Sequence, residues 1–107
     1  MNTTRIVKSI NQELFQSIVL NHELAVGPHA LDHLSDAQRK VFIEEELFRV
    51  LKKERPRGVG LQRNGRFAVF YRRKRGYMKV IVGLRESKLE IITFMNVDNM
   101  PNLKRLK

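Results

Sequence analysis

Apolar residues change their period once along this chain. In the N-terminal half they return every three to four positions. Leu14, Phe15, Ile18 and Val19 fall on one face, which predicts a helix over about residues 10–21. Ser9 and Gln12 have the spacing of a capping box at its start. Ser35 and Gln38 repeat that spacing ahead of a broader stripe made by Ala37, Val41, Leu47, Phe48, Val50 and Leu51. A second long helix over 36–54 follows, ended by Pro56, with acids early and bases late as the helix dipole favours. Between these helices, Pro28 suits the first turn of a short helix in "PHALDHL", and "HELAVG" reads as a short strand or a loop. "TTRIVKSI" reads as a short first strand.

After Pro56 the period becomes two. Asn64-Gly65 between apolar runs signals a two-residue hairpin turn, and residues 74–76, "KRG", fit a three-residue loop with glycine in the left-handed position. Residues 85–88, "RESK", fit a four-residue loop. The predicted strands are 57–63, 66–73, 77–84 and 89–95. The fold class is therefore α+β, with N-terminal helices packed on a four-stranded antiparallel meander.

These loop lengths set a register, and register decides which side chains share a face. Leu61 falls opposite Ala68, Val59 opposite Phe70, Phe70 opposite Val80, and Val82 opposite Ile91. One face then collects Val59, Leu61, Ala68, Phe70, Met78, Val80, Val82, Leu84, Leu89 and Ile91 as the core. Thr93 falls on that face, opposite Val80. The other face has an apolar centre and gathers Tyr71, Arg73, Tyr77, Lys79 and Phe94 at one end. Gly58 and Gly60 leave the edge of that face thinly covered. Something must cover its apolar centre: the first helix, a second subunit or a ligand.

Charge sharpens this picture. The 107 residues carry 21 Lys and Arg against 11 Asp and Glu, a formal charge of +10. A single domain this basic attracts phosphate, because each phosphate it neutralises releases condensed counterions. Aromatics set among cations are the means by which proteins stack single-stranded bases and hold their backbone. RNA is the expected partner. Arg66, Tyr71, Arg73, Lys74, Arg75, Tyr77 and Phe94 are the residues expected to bind it. An acidic protein partner, or a homodimer through the apolar second face, is the competing expectation for a non-enzymatic interaction module.

The chain has no cysteine, which excludes disulfides and thiolate metal sites, and its 42% apolar content suits a globular domain. No apolar run reaches membrane-span length and the N-terminus lacks the stretch of a signal peptide, so the expected location is the cytoplasm, with no membrane partner. Residues 97–107 read as a mobile basic tail of the single domain. His29 and His33 are spaced for one helical face, yet they lack the further ligands a metal needs, so neither a metal nor a cofactor is expected. Metal-free RNA cleavage asks for less: a base for the 2′-hydroxyl, an acid for the 5′-oxygen and cations on the phosphate. His29 or His33 can be the base or acid, with Glu44 a further candidate. Arg66, Arg72, Arg73 and Lys79 can hold the phosphate.

The stretches "PHALDHL", "FRVLKK", "GRFAVFYRRK", "MKVIVGL" and "EIITFMN", over residues 28–96, resemble the RelE/ParE toxin fold. More broadly they resemble the small ribonuclease group of barnase and colicin type, nearest to its small uncharacterised members. In those, a His-Ala pair opens the helical half and a Thr-Phe or Thr-Tyr pair ends the last strand, as His29-Ala30 and Thr93-Phe94 do here. The resemblance implies RNA as substrate and a toxin-type endoribonuclease. It implies catalytic roles for His29, Arg72 and Lys79, with Thr93 near the site.

Overall fold

The structure is a computed structural model that describes residues 2–30, 32 and 44–106. Its elements in chain order are β1 (Ile6–Ser9), α1 (Gln12–Leu20), β2 (Glu23–Val26), α2 (Glu44–Lys53), β3 (Gly58–Gln62), β4 (Phe67–Arg72), β5 (Tyr77–Arg85), β6 (Lys88–Val97) and a 3-10 turn at Leu103–Arg105.

The expected four-stranded antiparallel meander is incorrect. The sheet has six strands in the order β1-β3-β4-β5-β6-β2 and is mixed, because β2 runs parallel to β6. The two additional strands come from the segments whose short apolar runs were the least decisive. β1 adds to β3, and β2 adds to β6 with Leu24 opposite Leu89 and Val26 opposite Ile91. A parallel neighbour needs a long crossover, and the whole of α2 to β5 separates β2 from β6 in sequence. Hydrophobic periodicity in either strand therefore carries no trace of the pairing.

Asn11, rather than Ser9, caps α1: its side-chain oxygen accepts from the backbone N–H groups of Glu13 and Leu14 at 2.8 and 3.1 Å. Ser9 ends β1 instead. In "PHALDHL", Ala30 N–H donates to Gly27 O at 3.2 Å and Asp32 N–H to His29 O at 3.1 Å, which makes a turn. Leu31, His33 and the 36–43 part of the expected long helix lie outside the described residues. Glu44, at the start of α2, is exposed.

Both helices lie on one side of the sheet. Phe15 and Val19 of α1 and Leu47, Val50 and Leu51 of α2 pack with Val59, Phe67, Val69, Tyr71, Val80, Val82, Leu89 and Ile91. The Phe15 and Phe67 rings meet at 5.8 Å with planes tilted by 60°. Each fully buried side chain of this size contributes about 1.5–3 kcal/mol.

The face assignment of β4 is the reverse of the expected one. Val59 pairs with Val69 and Gly60 with Ala68, one residue away from the expected register. The cause is the turn. Gln62 N–H donates to Arg66 O at 2.8 Å and Gly65 N–H to Gln62 O at 2.9 Å, so the loop has three residues. Gly65 sits at φ +87°, the left-handed residue of a bulged turn. The next hairpin shifts as well. Arg73 N–H donates to Gly76 O at 3.1 Å, which leaves a loop of Lys74 and Arg75, and Val69 pairs with Val80. Each shift turns β4 over relative to its neighbour, so Phe67, Val69 and Tyr71 face the helices while Ala68 and Phe70 face away.

The second face is covered by the chain itself. Ala68, Phe70, Ile81 and Leu103 form its buried centre, with Ile6, Tyr77, Ile92, Val97, Met100 and Leu106 around them. Gly58 and Gly60 are sockets for this cover. A Cβ on Gly60 would lie 2.5 Å from Ile6 Cγ2, and one on Gly58 would lie 2.7 Å from Leu103 Cδ1. No helix among the described residues is long and apolar enough to cross a membrane.

Candidate nucleic-acid interface

The five side chains expected to form one aromatic and cationic face are divided between the two sides of the sheet. Tyr71 is fully buried under the helices and Phe94 packs on the same side, opposite Val80. Arg73 also lies on the helix side. Its guanidinium forks onto Glu54, donating at 2.8 and 3.2 Å, and stands 6.0 Å from the Tyr71 ring. That pair ties the β4–β5 hairpin to the end of α2. Burial pushes the Tyr71 phenol well above its ordinary value of 10.0; the nearby Glu54 carboxylate adds to the rise and Arg73 opposes it.

Tyr77, Lys79 and Arg72 lie on the second side. The Arg72 guanidinium lies 5.1 Å from the Tyr77 ring centroid and donates to Gly76 O at 3.0 Å. Lys79 Nζ lies 5.8 Å from the Phe70 ring centroid. Lys74 and Arg75 are exposed in the hairpin loop beyond them. Thr93 also lies on the second side, opposite Ile81 rather than Val80. Its hydroxyl is buried with no hydrogen-bond partner among the described residues.

The opposite end of the same face carries a different group. A cleft of about 230 Å³ is lined by Gly27, Pro28, His29, Arg66, Arg85, Glu90 and Ile92. It adjoins a second hollow of about 250 Å³ that shares Arg66, Arg85 and Glu90. The topology explains the convergence. Gly27 N–H donates to Ile91 O at 2.7 Å, which fastens the β2 exit, and hence His29, beside β6. Glu90 pairs with Gly83, whose missing side chain leaves room for the stem of Arg66: a Cβ there would lie 3.4 Å from Arg66 Cγ. Gly27 likewise leaves room for the carboxylate, since a Cβ there would lie 3.0 Å from Glu90 Oε1.

His29 Nδ1 lies 2.9 Å from Asp32 Oδ2. A carboxylate only accepts, so this bond puts a proton on Nδ1 and leaves Nε2 outside the pair. None of Arg66, Arg85 and Glu90 takes part in an ion pair among the described residues. The cleft thus offers an imidazole held by Asp32, a carboxylate with no ion pair among the described residues and two guanidinium groups in one place.

Of the expected catalytic residues, His29 meets Arg66 but neither Lys79 nor Arg72. Lys79 is four residues along β5 from Gly83, about 13 Å at strand rise, and Arg72 is six residues along β4 from Arg66, about 20 Å. Sequence reasoning missed Arg85 and Glu90. The sequence pattern puts Arg85 in a turn and Glu90 in a strand and carries no sign of what stands across from either. The available signal was Gly83, a glycine inside an apolar strand, which marks a close approach by another group. Comparisons with protein-family models, with curated proteins and with solved structures found no match for this chain.

Proposed function

We propose that this is a cytoplasmic RNA-binding protein that cleaves RNA without a metal, at the cleft between His29 and Glu90. The carrying observation is the meeting of His29, Glu90, Arg66 and Arg85 around one cleft. In this reading Glu90 takes the proton of a 2′-hydroxyl as its oxygen attacks the adjacent phosphorus. Arg66 and Arg85 stabilise the charge that builds on the phosphorane oxygens. Imidazolium His29, held through Nδ1 by Asp32, gives its Nε2 proton to the departing 5′-oxygen. The products are a 2′,3′-cyclic phosphate and a free 5′-hydroxyl. The 2′-hydroxyl is the nucleophile, so DNA is bound but not cut.

The support is the chemistry of the donor set together with the charge of +10. A dimerising module would need an open apolar second face, and Ile6, Met100, Leu103 and Leu106 occupy that face here. The test is incubation of purified protein with RNA in excess EDTA, with analysis of the new ends. Cyclic phosphates that disappear in His29→Ala and in Glu90→Gln, while RNA binding persists, are the expected result. RNA left uncut by the wild type, or wild-type cleavage by either variant, defeats the proposal.

A further inference from the structure

A second pocket lies on the same face, away from the cleft, between the N-terminal segment and the C-terminal segment. Its volume is about 450 Å³, and Arg5, Lys79, Asn2, Asn99, Phe70 and Leu106 are among its walls. Among the described residues no carboxylate lines it. Lys79 is half-buried, with its Nζ near the Phe70 ring, and the exposed Arg5 is the second cation. Neither takes part in an ion pair among the described residues. Two cations that line one hollow without a counter-ion among the described residues attract an entering anion.

The walls are built before any ligand arrives. Arg63 N–H donates to Arg5 O at 2.9 Å and Asn64 N–H to Thr3 O at 2.9 Å, which pins the N-terminal segment to the β3–β4 loop. Ile6 seats against Gly60 on one side of the pocket, and Leu103 and Met100 against Gly58 beside it. The side-chain amides of Asn2 and Asn99 line the same pocket and can donate as well, a donor set suited to several oxygens on one tetrahedral centre.

We infer that this pocket binds a phosphate group, held by Arg5 and Lys79. Its distance from the cleft along β5 makes it a separate site, so it stands or falls independently of RNA cleavage. The phosphate can be that of a small phosphorylated ligand or a diester of a bound RNA strand.

The experiment is an NMR titration of the whole protein with inorganic phosphate at fixed ionic strength. Amide shifts should cluster at Asn2, Arg5, Lys79 and Asn99. Lys79→Met keeps an apolar stem and should weaken binding about ten- to a hundredfold, as loss of a charged hydrogen bond does. Arg5→Met should act alike, and His29→Ala should leave the shifts intact. Repeating the titration with a tetranucleotide lacking terminal phosphates identifies the source: the same shifts mean a strand diester, and their absence means a small ligand. No shifts with phosphate in the wild type, or equal affinity in Lys79→Met, overturns the inference.

Discussion

Tyr71→Phe is the most informative single substitution, because the structure places Tyr71 in the core and not on the surface proposed to bind RNA. Its ring is fully buried and its hydroxyl has no hydrogen-bond partner among the described residues. Burying a hydroxyl without a partner costs about 1–3 kcal/mol on protein mutational scales. Phenylalanine keeps the ring and its packing while removing that cost, and it leaves only a small void. A gain near the lower end, about 1 kcal/mol, is expected. For 107 residues, an unfolding entropy of about 2.1 cal/mol/K per residue turns this into a rise of about 4–5 °C in Tm.

The same substitution carries a pH signature. The Tyr71 phenol is raised above its ordinary value of 10.0 in the folded protein, chiefly by burial. Above that ordinary value the unfolded chain gives up the proton and the folded chain keeps it. Stability from this group is therefore complete below about pH 10 and falls as pH climbs toward the folded-state value. The slope is about 1.4 kcal/mol per pH unit. Contributions common to both proteins cancel in the difference. Urea unfolding of wild type and Tyr71→Phe at pH 8, 10 and 11 measures it. The variant's advantage should be constant up to about pH 10 and then widen. RNA affinity at neutral pH should not change. A variant destabilised by more than about 1 kcal/mol, parallel alkaline curves, or a large loss of RNA affinity would each refute the placement of this ring.

Phe15→Ala removes a ring with no exposed surface and should cost about 3–5 kcal/mol, read as a fall of roughly 13–22 °C in Tm. Gly76→Ala should destabilise by more than the roughly 1–2 kcal/mol of a left-handed residue, because Gly76 has φ +72° and an added Cβ would run into Val97 O; chemical denaturation measures it. RNA affinity should fall with log salt, and Arg66→Ala and Arg85→Ala should each make the slope shallower by about 0.7 for a single strand. Arg73→Ala should leave that slope alone while lowering Tm, since its guanidinium is committed to Glu54.

The sequence identifies the individual helices and strands better than it does their arrangement. Positions of α1 and of β3 to β6 follow from periodicity and turn residues. Register does not, because two hairpin loops each differ by one residue from the lengths their glycines suggested. Gly65 closes a three-residue loop where Asn64-Gly65 reads as a two-residue turn, and Gly76 ends a loop in which only Lys74 and Arg75 are unpaired. One residue of slip reverses a face, so Tyr71 moved into the core and Phe70 onto the second side. The covers of that side were also illegible. Ile6 and Leu103 find Gly60 and Gly58 only after the strands have paired, a relation between distant positions that no local pattern encodes.

The convergence at the cleft depends on one further irregularity. Along β5 and β6, Ile81 pairs with Thr93 but Val82 pairs with Ile91, so Ile92 is an extra residue in β6. Without it, alternation would send Glu90 and Phe94 to the same face. With it, Phe94 turns toward the helices and Glu90 stays on the second side beside Gly83, within the cleft that also holds His29. A bulge sacrifices regular pairing to re-aim a side chain, and bulges concentrate near active sites for that reason. Here it serves both requirements on the last long strand. The aromatic ring goes where apolar burial stabilises the domain, and the carboxylate goes to the cleft that two arginines and the imidazole held by Asp32 also line. The place of this carboxylate is then a consequence of how the strand is built, and not of charge composition, since acids are outnumbered almost two to one in this chain.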